Sequence, residues 1–122
     1  MAKKILIVDD QEDILESMGM LVENMGYEVK TTNNGKQALA MLKKESFDLV
    51  LLDILMPKMS GREVLQKIRK NPKLKNQEVA FLTVVQLSEA GKDVVKKLKP
   101  VDYFPKPIEV VNFKKRLKKI LK

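Results

Sequence analysis

The stretch F-D-L-V-L-L-D-I-L-M-P-K-M-S-G, residues 47–61, decides how this chain is read. Four consecutive aliphatic side chains, Leu49 to Leu52, lead straight into the carboxylate of Asp53, and Met56-Pro57 and Gly61 follow. A segment built for burial that ends on a charge needs a reason, because an unpaired carboxylate at the edge of a core is costly. Similar short apolar runs occupy Ile5 to Val8 and Val79 to Val84, continuous as in parallel strands covered on both faces. Tyr27 to Thr32 and Val101 to Phe104 give two weaker strand signals.

Helical stripes separate these runs. Ile14, Met18, Leu21, Val22 and Met25 form one; Ala38, Leu39 and Leu42 a second; Val64, Leu65 and Ile68 a third. Val94, Val95 and Leu98 form a fourth, and Val110, Phe113, Leu117, Ile120 and Leu121 a fifth. Offsets of three and four mark the core face of an amphipathic helix. Gly26 sits where a left-handed cap would end the first helix, Asn34-Gly35 marks a turn, and Asn71-Pro72 and Pro100 close the third and fourth. Gly91 weakens the start of the fourth helix by up to about 1 kcal/mol relative to alanine. Five strands alternating with five helices predict a single α/β domain over residues 1–122, a doubly wound (βα)5 five-stranded parallel sheet with right-handed crossovers.

Composition excludes several chemistries. A chain of 122 residues without cysteine or histidine has no disulfide, no thiolate metal site and no histidine base, so its chemistry rests on carboxylates, hydroxyls and lysines. The basic start M-A-K-K precedes an apolar run far too short for a signal peptide or membrane span, and the expected location is the cytoplasm, without membrane insertion. The net charge of +8 is uneven: residues 1–91 carry 13 basic and 13 acidic side chains, residues 92–122 carry 11 and 3. The excess is either a solvated lysine-rich face or a docking face for an acidic partner.

In an open parallel sheet, ligands bind beyond the carboxyl ends of the strands. Asp9 and Asp10 follow the first predicted strand, Asp53 ends the third, Thr83 lies at the end of the fourth and Lys106 follows the fifth. Each has a plain reading: the aspartates as helix caps, Thr83 as a β-former, Lys106 as a solvated lysine. Taken together they make a chemical site. Three carboxylates within about 5 Å repel by roughly 3 kcal/mol per pair at an effective dielectric near 20. A divalent cation relieves this, and Mg²⁺ suits one or two carboxylates plus phosphate oxygens. With metal at Asp10 and Asp53, facing an ammonium and a hydroxyl, the site resembles a clamp for a phosphoryl group in transfer.

These residues carry a resemblance over the whole chain to the response-regulator receiver domain, typified by the bacterial chemotaxis response regulator. K-I-L-I-V-D-D is similar to that family's first strand and acidic pair, and D-I-L-M-P-K-M-S-G to its phosphoacceptor loop. L-T-V resembles its fourth strand, and D-Y-F-P-K-P its fifth strand and lysine-proline. The resemblance implies a flavodoxin-like strand order 2-1-3-4-5. It implies that Asp53 takes a phosphoryl group from a histidine kinase or phosphotransfer protein. By the same resemblance, Asp10, Asp53 and the Leu55 carbonyl bind Mg²⁺ directly, with Asp9 helping through water. Lys106 pairs with the phosphoryl oxygens, its bond to Pro107 being cis. Thr83 moves to the phosphoryl group and Tyr103 swings inward. The fourth helix, fifth strand and fifth helix form the face that reports phosphorylation, which here coincides with the basic quarter and an acidic effector protein.

The chain departs from the family pattern in places. Val84 stands where alanine or glycine is common, and its bulk crowds the phosphoryl position; Leu55 and Val85 occupy variable positions; Pro100-Val101 replaces a usual Gly-Ala pair. The rival readings are a non-phosphorylated pseudo-receiver module and a nucleic-acid-binding module on the basic C-terminal face. The last is disfavoured because Phe113, the one aromatic of F-K-K-R-L-K-K-I-L-K, falls on the core stripe. An aspartate-nucleophile phosphatase would need a second aspartate at Leu55, and a dinucleotide carrier would need G-x-G-x-x-G. The expectation is a signalling phosphoacceptor rather than an enzyme with a separate substrate. A monomer or weak dimer is expected. Met1 and the finished last helix favour a stand-alone receiver, although one cut from a longer regulator would read the same.

Overall fold

The computed structural model describes residues 2–83 and 96–122. Leu49–Asp53 forms β3, buried at every position, and stands at the centre of a five-stranded parallel sheet. The other strands are β1 (Lys4–Val8), β2 (Glu28–Thr32), β4 (Val79–Thr83) and β5 (Asp102–Pro105), in the order β2-β1-β3-β4-β5. The register pairs Val8 with Leu52, Asp53 with Leu82 and Thr83 with Pro105, so the carboxyl ends of β1, β3, β4 and β5 lie side by side.

The continuous apolar runs have a simple cause. Alternate residues of one strand feed two cores, one on each face of the sheet. Leu6, Val8, Val50, Leu52, Val79 and Phe81 pack against Ala38 and Leu42 of α2 (Gly35–Lys44) and Val64, Leu65 and Ile68 of α3 (Gly61–Lys70). Ile5, Ile7, Leu49, Leu51, Ala80 and Leu82 pack against Leu15, Met18 and Val22 of α1 (Glu12–Asn24) and Phe113 and Leu117 of the C-terminal helix (Val110–Ile120). Among the described residues, no helix is long and apolar enough to cross a membrane.

The helix ends follow the sequence signals, with one change. Gly26 has φ +95°, and the N–H groups of Gly26 and Tyr27 bond back to the carbonyls of Glu23 and Val22, the left-handed cap expected there. Asn34-Gly35 is not a free turn: Asn34 caps α2, its side chain accepting the Gln37 N–H at 2.7 Å, and Gly35 is the first helical residue. A Cβ on Gly35 would sit 2.5 Å from Val64, so glycine there permits α2 and α3 to meet. Ser60 caps α3, and Asn71 ends it as expected. Most of the predicted fourth helix, with Gly91, Val94 and Val95, lies outside the described residues, as do Val84 and Val85.

Gly61 binds α3 to the loop after β3. A Cβ there would fall 2.2 Å from the Asp53 carbonyl oxygen and 2.8 Å from the Ile54 Cα, both backbone atoms. Its N–H donates to the Ile54 carbonyl at 2.9 Å. Gly61→Ala is therefore expected to destabilise by more than about 2 kcal/mol in urea melts, because the clash falls on atoms that cannot rotate away. Gly19→Ala provides the contrast: its added Cβ meets only Thr31 and Val29 side chains at 4.0 Å, inside a helix. That change should stabilise by up to about 1 kcal/mol, and a loss instead would contradict the packing described.

Candidate functional site

The end of β1 delivers Asp9, the end of β3 delivers Asp53, and the turn after β5 delivers Lys106. Asp9 is fully buried and Asp53 is 3% exposed, while Asp10 is exposed. Carboxylate oxygens of Asp9, Asp10 and Asp53 all lie within 4.8 Å of one another. The Lys106 ammonium enters from the neighbouring strand, 2.6 Å from Asp9 Oδ2 and 3.5 Å from Asp53 Oδ1. Among the described residues, one cation thus faces three carboxylates, and the excess negative charge is the defining property of the site.

Backbone groups complete the cradle. The Gln11 N–H donates to Asp9 Oδ1 at 3.0 Å, and the Leu55 N–H donates to Asp53 Oδ1 at 3.3 Å. The cap reading of the acidic pair does not hold, since Gln11 is the N-cap of α1 and makes no side-chain capping bond. Lys106 is held through its own backbone, its N–H donating to the Thr83 carbonyl at 2.7 Å, and the Lys106–Pro107 peptide is cis. Thr83 is the residue after Leu82, the register partner of Asp53, at the carboxyl end of β4. Leu55 is 54% exposed on the loop, beside the acid cluster rather than in the core.

That loop carries a local strain. Lys58 adopts φ +69°, and the Met59 N–H closes onto the Pro57 carbonyl at 2.8 Å. A left-handed lysine costs about 1–3 kcal/mol and persists where the surroundings over-determine it. Here Gly61 and the buried Ile54 and Met56 fix both ends of the turn.

Electrostatics follow from burial. Removal from water raises the Asp53 pKa from 3.8 to about 6; the charge on Asp9 adds to the rise, and Lys106 and the Leu55 N–H oppose it. The ionised site therefore gains from further positive charge. Oxygen donors only, gathered this closely and partly open through Asp10, fit a hard divalent cation such as Mg²⁺.

Tyr103 stands apart from the cluster. It lies on β5 beside Phe81, ring centroids 6.0 Å apart, at the surface of the α2–α3 side of the sheet. Sequence reasoning missed the residue that fixes this strand. Arg116 of the C-terminal helix ion-pairs with Asp102, donates to the Tyr103 carbonyl at 2.7 Å and lies 4.7 Å above the Phe104 ring. Its only signal in sequence is an arginine among lysines, the fork suited to several acceptors at once.

Comparison with known proteins agrees with this geometry. Residues 5–118 match the family model described as response regulator receiver domain. The chain is 38% identical to the transcriptional regulatory protein CpxR homolog of Haemophilus influenzae, over 98% of this chain and 50% of that protein. The chain spans about half the length of several curated relatives it matches, among them the regulatory protein VanRc of Enterococcus gallinarum, of which it covers 49%. Among solved structures, chemotaxis protein CheY4 of Vibrio cholerae superposes with a TM-score of 0.89 at 29% identity, covering 98% of this chain and 99% of that one. The response regulator TrrA of Thermotoga maritima, solved in complex with Mg²⁺–BeF, gives 0.84 at 36% identity, covering 97% and 98%.

The raised Asp53 pKa fixes a sign for stability. The folded protein holds a proton on Asp53 that the unfolded chain releases near pH 4, so this contribution is complete below about pH 4 and is lost as pH rises through about 6. In chelator, Asp53→Asn should therefore exceed wild type by roughly 2 to 3 kcal/mol at pH 7 and match it near pH 4. Thermal melts across that range check it, and an asparagine variant less stable at pH 7 would contradict the repulsion.

Proposed function

The chain belongs to the response regulator receiver domain family of two-component signalling, and on that premise we propose that Asp53 is the phosphoacceptor. The single observation that carries this reading is Lys106 Nζ poised between two buried carboxylates, 2.6 Å from Asp9 and 3.5 Å from Asp53. Receiver domains are phosphorylated by histidine kinases, and we take a histidine kinase or a phosphotransfer protein as the donor here. An Asp53 oxygen attacks the phosphorus of a phosphohistidine that carries a proton on its other ring nitrogen; a P–O bond forms as the P–N bond breaks, and neutral imidazole leaves. The chain contains no histidine and so depends on its partner for that group.

Asp10, Asp53 and the Leu55 carbonyl would hold Mg²⁺, with Asp9 acting through water. Bound there, the ion supplies charge neutralisation for the incoming phosphoryl oxygens. Lys106 shifts its bond from Asp53 to a phosphoryl oxygen, and Asp9 keeps the ammonium aimed. Thr83, at the neighbouring strand end, supplies the hydroxyl that binds the phosphoryl group. Tyr103, next to Phe81, reports the change by turning inward. Protein and phosphoryl group together are the reacting unit, and self-phosphorylation and dephosphorylation are its only chemistry.

A charge-assisted bond to Lys106 contributes roughly 1.5 to 3 kcal/mol and one to Thr83 about 1. Inverting a two-state population from 1:99 to 99:1 takes about 5.5 kcal/mol. Phosphorylation therefore shifts the ensemble in part, and an effector that prefers the active form completes the shift. The effector face is β5 with the C-terminal helix, where Tyr103, Val110 and Val111 are exposed beside Lys115, Lys118 and Lys119. An acidic protein fits that surface, the domain acting in the cytoplasm as a monomer or weak dimer.

Incubation with phosphoramidate or acetyl phosphate, followed by intact-mass measurement, tests the assignment. One phosphoryl group should be gained by wild type in Mg²⁺, none in chelator and none by Asp53→Asn. Absence of both a mass gain and Mg²⁺-dependent beryllofluoride binding would leave a pseudo-receiver as the better reading.

A further inference from the structure

The crossover helices must each return the chain to the start of the next strand. Their last turns therefore gather at the end of the sheet opposite Asp53, one strand length or roughly 16 Å away. The last turns of α2, α3 and the C-terminal helix carry Lys43 and Lys44, Lys67, Arg69 and Lys70, and Lys118 and Lys119. The excess charge falls in residues 92–122 along the sequence; in space, Lys43 and Lys44 from the first half of the chain lie at the same end of the sheet as Lys118 and Lys119. Stabilisation of helix carbonyls accounts for lysine at a last turn. It does not account for what lies between the end of α2 and the segment that follows α3.

There the structure holds a cleft of about 730 Å³, within the range of ligand-binding clefts. Its apolar floor is Leu42, Phe47 and Leu74, and its rim is Lys43, Lys44 and Lys73. Lys73 is outside any helix, so no helix end explains it. The three rim lysines are exposed and make no ion pair among the described residues. Glu45 also lines the cleft, but Lys4 and Lys30 both pair with it and neutralise it. The walls are fixed to each other: Gln77 Nε2 donates to the Phe47 carbonyl at 3.1 Å, tying the residues before β4 to those before β3.

We propose that this cleft docks an acidic protein segment that places one apolar side chain on the Leu42–Phe47–Leu74 floor while its carboxylates meet Lys43, Lys44 and Lys73. Charge complementarity selects the acid, and the apolar floor selects a peptide over a phosphodiester. Phe47 is buried in the core at the floor of the cleft, with the Lys4 ammonium 5.0 Å from its ring centroid, so it adds apolar surface without an open ring face on which a base could stack. Docking here is independent of the acceptor chemistry, which occupies the other end of every strand.

Amide chemical-shift mapping of the full chain with the capped acidic peptide EEDLFEDD tests this. Shifts should cluster on Lys43, Lys44, Phe47, Lys73 and Leu74, be unchanged by beryllofluoride with Mg²⁺, and weaken as salt rises from about 50 to 500 mM. Lys43→Glu with Lys73→Glu should reduce affinity at least about tenfold, whereas Lys36→Glu with Arg62→Glu, the same charge change at the other ends of α2 and α3, should not. Four results would each overturn the proposal: no saturable binding, shifts centred on the C-terminal helix, equal affinity for the peptide EEDGGEDD, or tighter binding of a DNA duplex of equal charge.

Discussion

Two carboxylates almost wholly withdrawn from water, sharing the Lys106 ammonium, set the terms for the rest of this molecule. Asp9 and Asp53 are charges in a place where charge is expensive, and Lys106 compensates for only one of them. Placed one turn farther out, all three would be solvated and inert. The remaining negative charge suits the site to a cation and, on the proposed reading, to a group that brings new acceptors to Lys106. On that reading the instability and the chemistry have the same origin.

The fold exists to hold that arrangement. A parallel sheet buried on both faces aligns the carboxyl ends of β1, β3, β4 and β5, so residues distant in sequence meet within a few ångströms. Gly61 lets α3 lie on the backbone of Asp53 itself, and the left-handed Lys58 closes the loop between them. On the far edge, Arg116 joins the C-terminal helix to Asp102 and the Tyr103 carbonyl, leaving the Tyr103 ring at the surface. Strand position, glycine contact and arginine fork are three separate devices serving one geometry.

Much of this was legible in sequence, for physical reasons. Strands such as Ile5 to Val8 and Leu49 to Leu52 are apolar at every position because both faces are covered, and no amphipathic helix gives that pattern. Asp9, Asp10, Asp53, Thr83 and Lys106 could be placed at strand ends once the sheet was known to be parallel, and their residue types already implied phosphoryl chemistry. Other features depend on space rather than on order along the chain. Asn34-Gly35 reads as a turn and also as a helix cap, and the bond from the Gln37 N–H to the Asn34 side chain distinguishes them. The clustering of Lys43 and Lys44 with Lys73 at one end of the sheet has no sequence signature, because the crossovers bring those residues together. Arg116 is hidden among lysines until its three acceptors are seen.

The central claim is that burial and the neighbouring Asp9 charge hold Asp53 in unfavourable ionisation until positive charge arrives. A carbon-13 NMR titration of the Asp53 carboxyl, in chelator and then in Mg²⁺, measures this directly. The account predicts a midpoint near pH 6 without metal, falling when Mg²⁺ is added. A midpoint in the ordinary carboxylate range near pH 4 in chelator, unmoved by Mg²⁺, would contradict it.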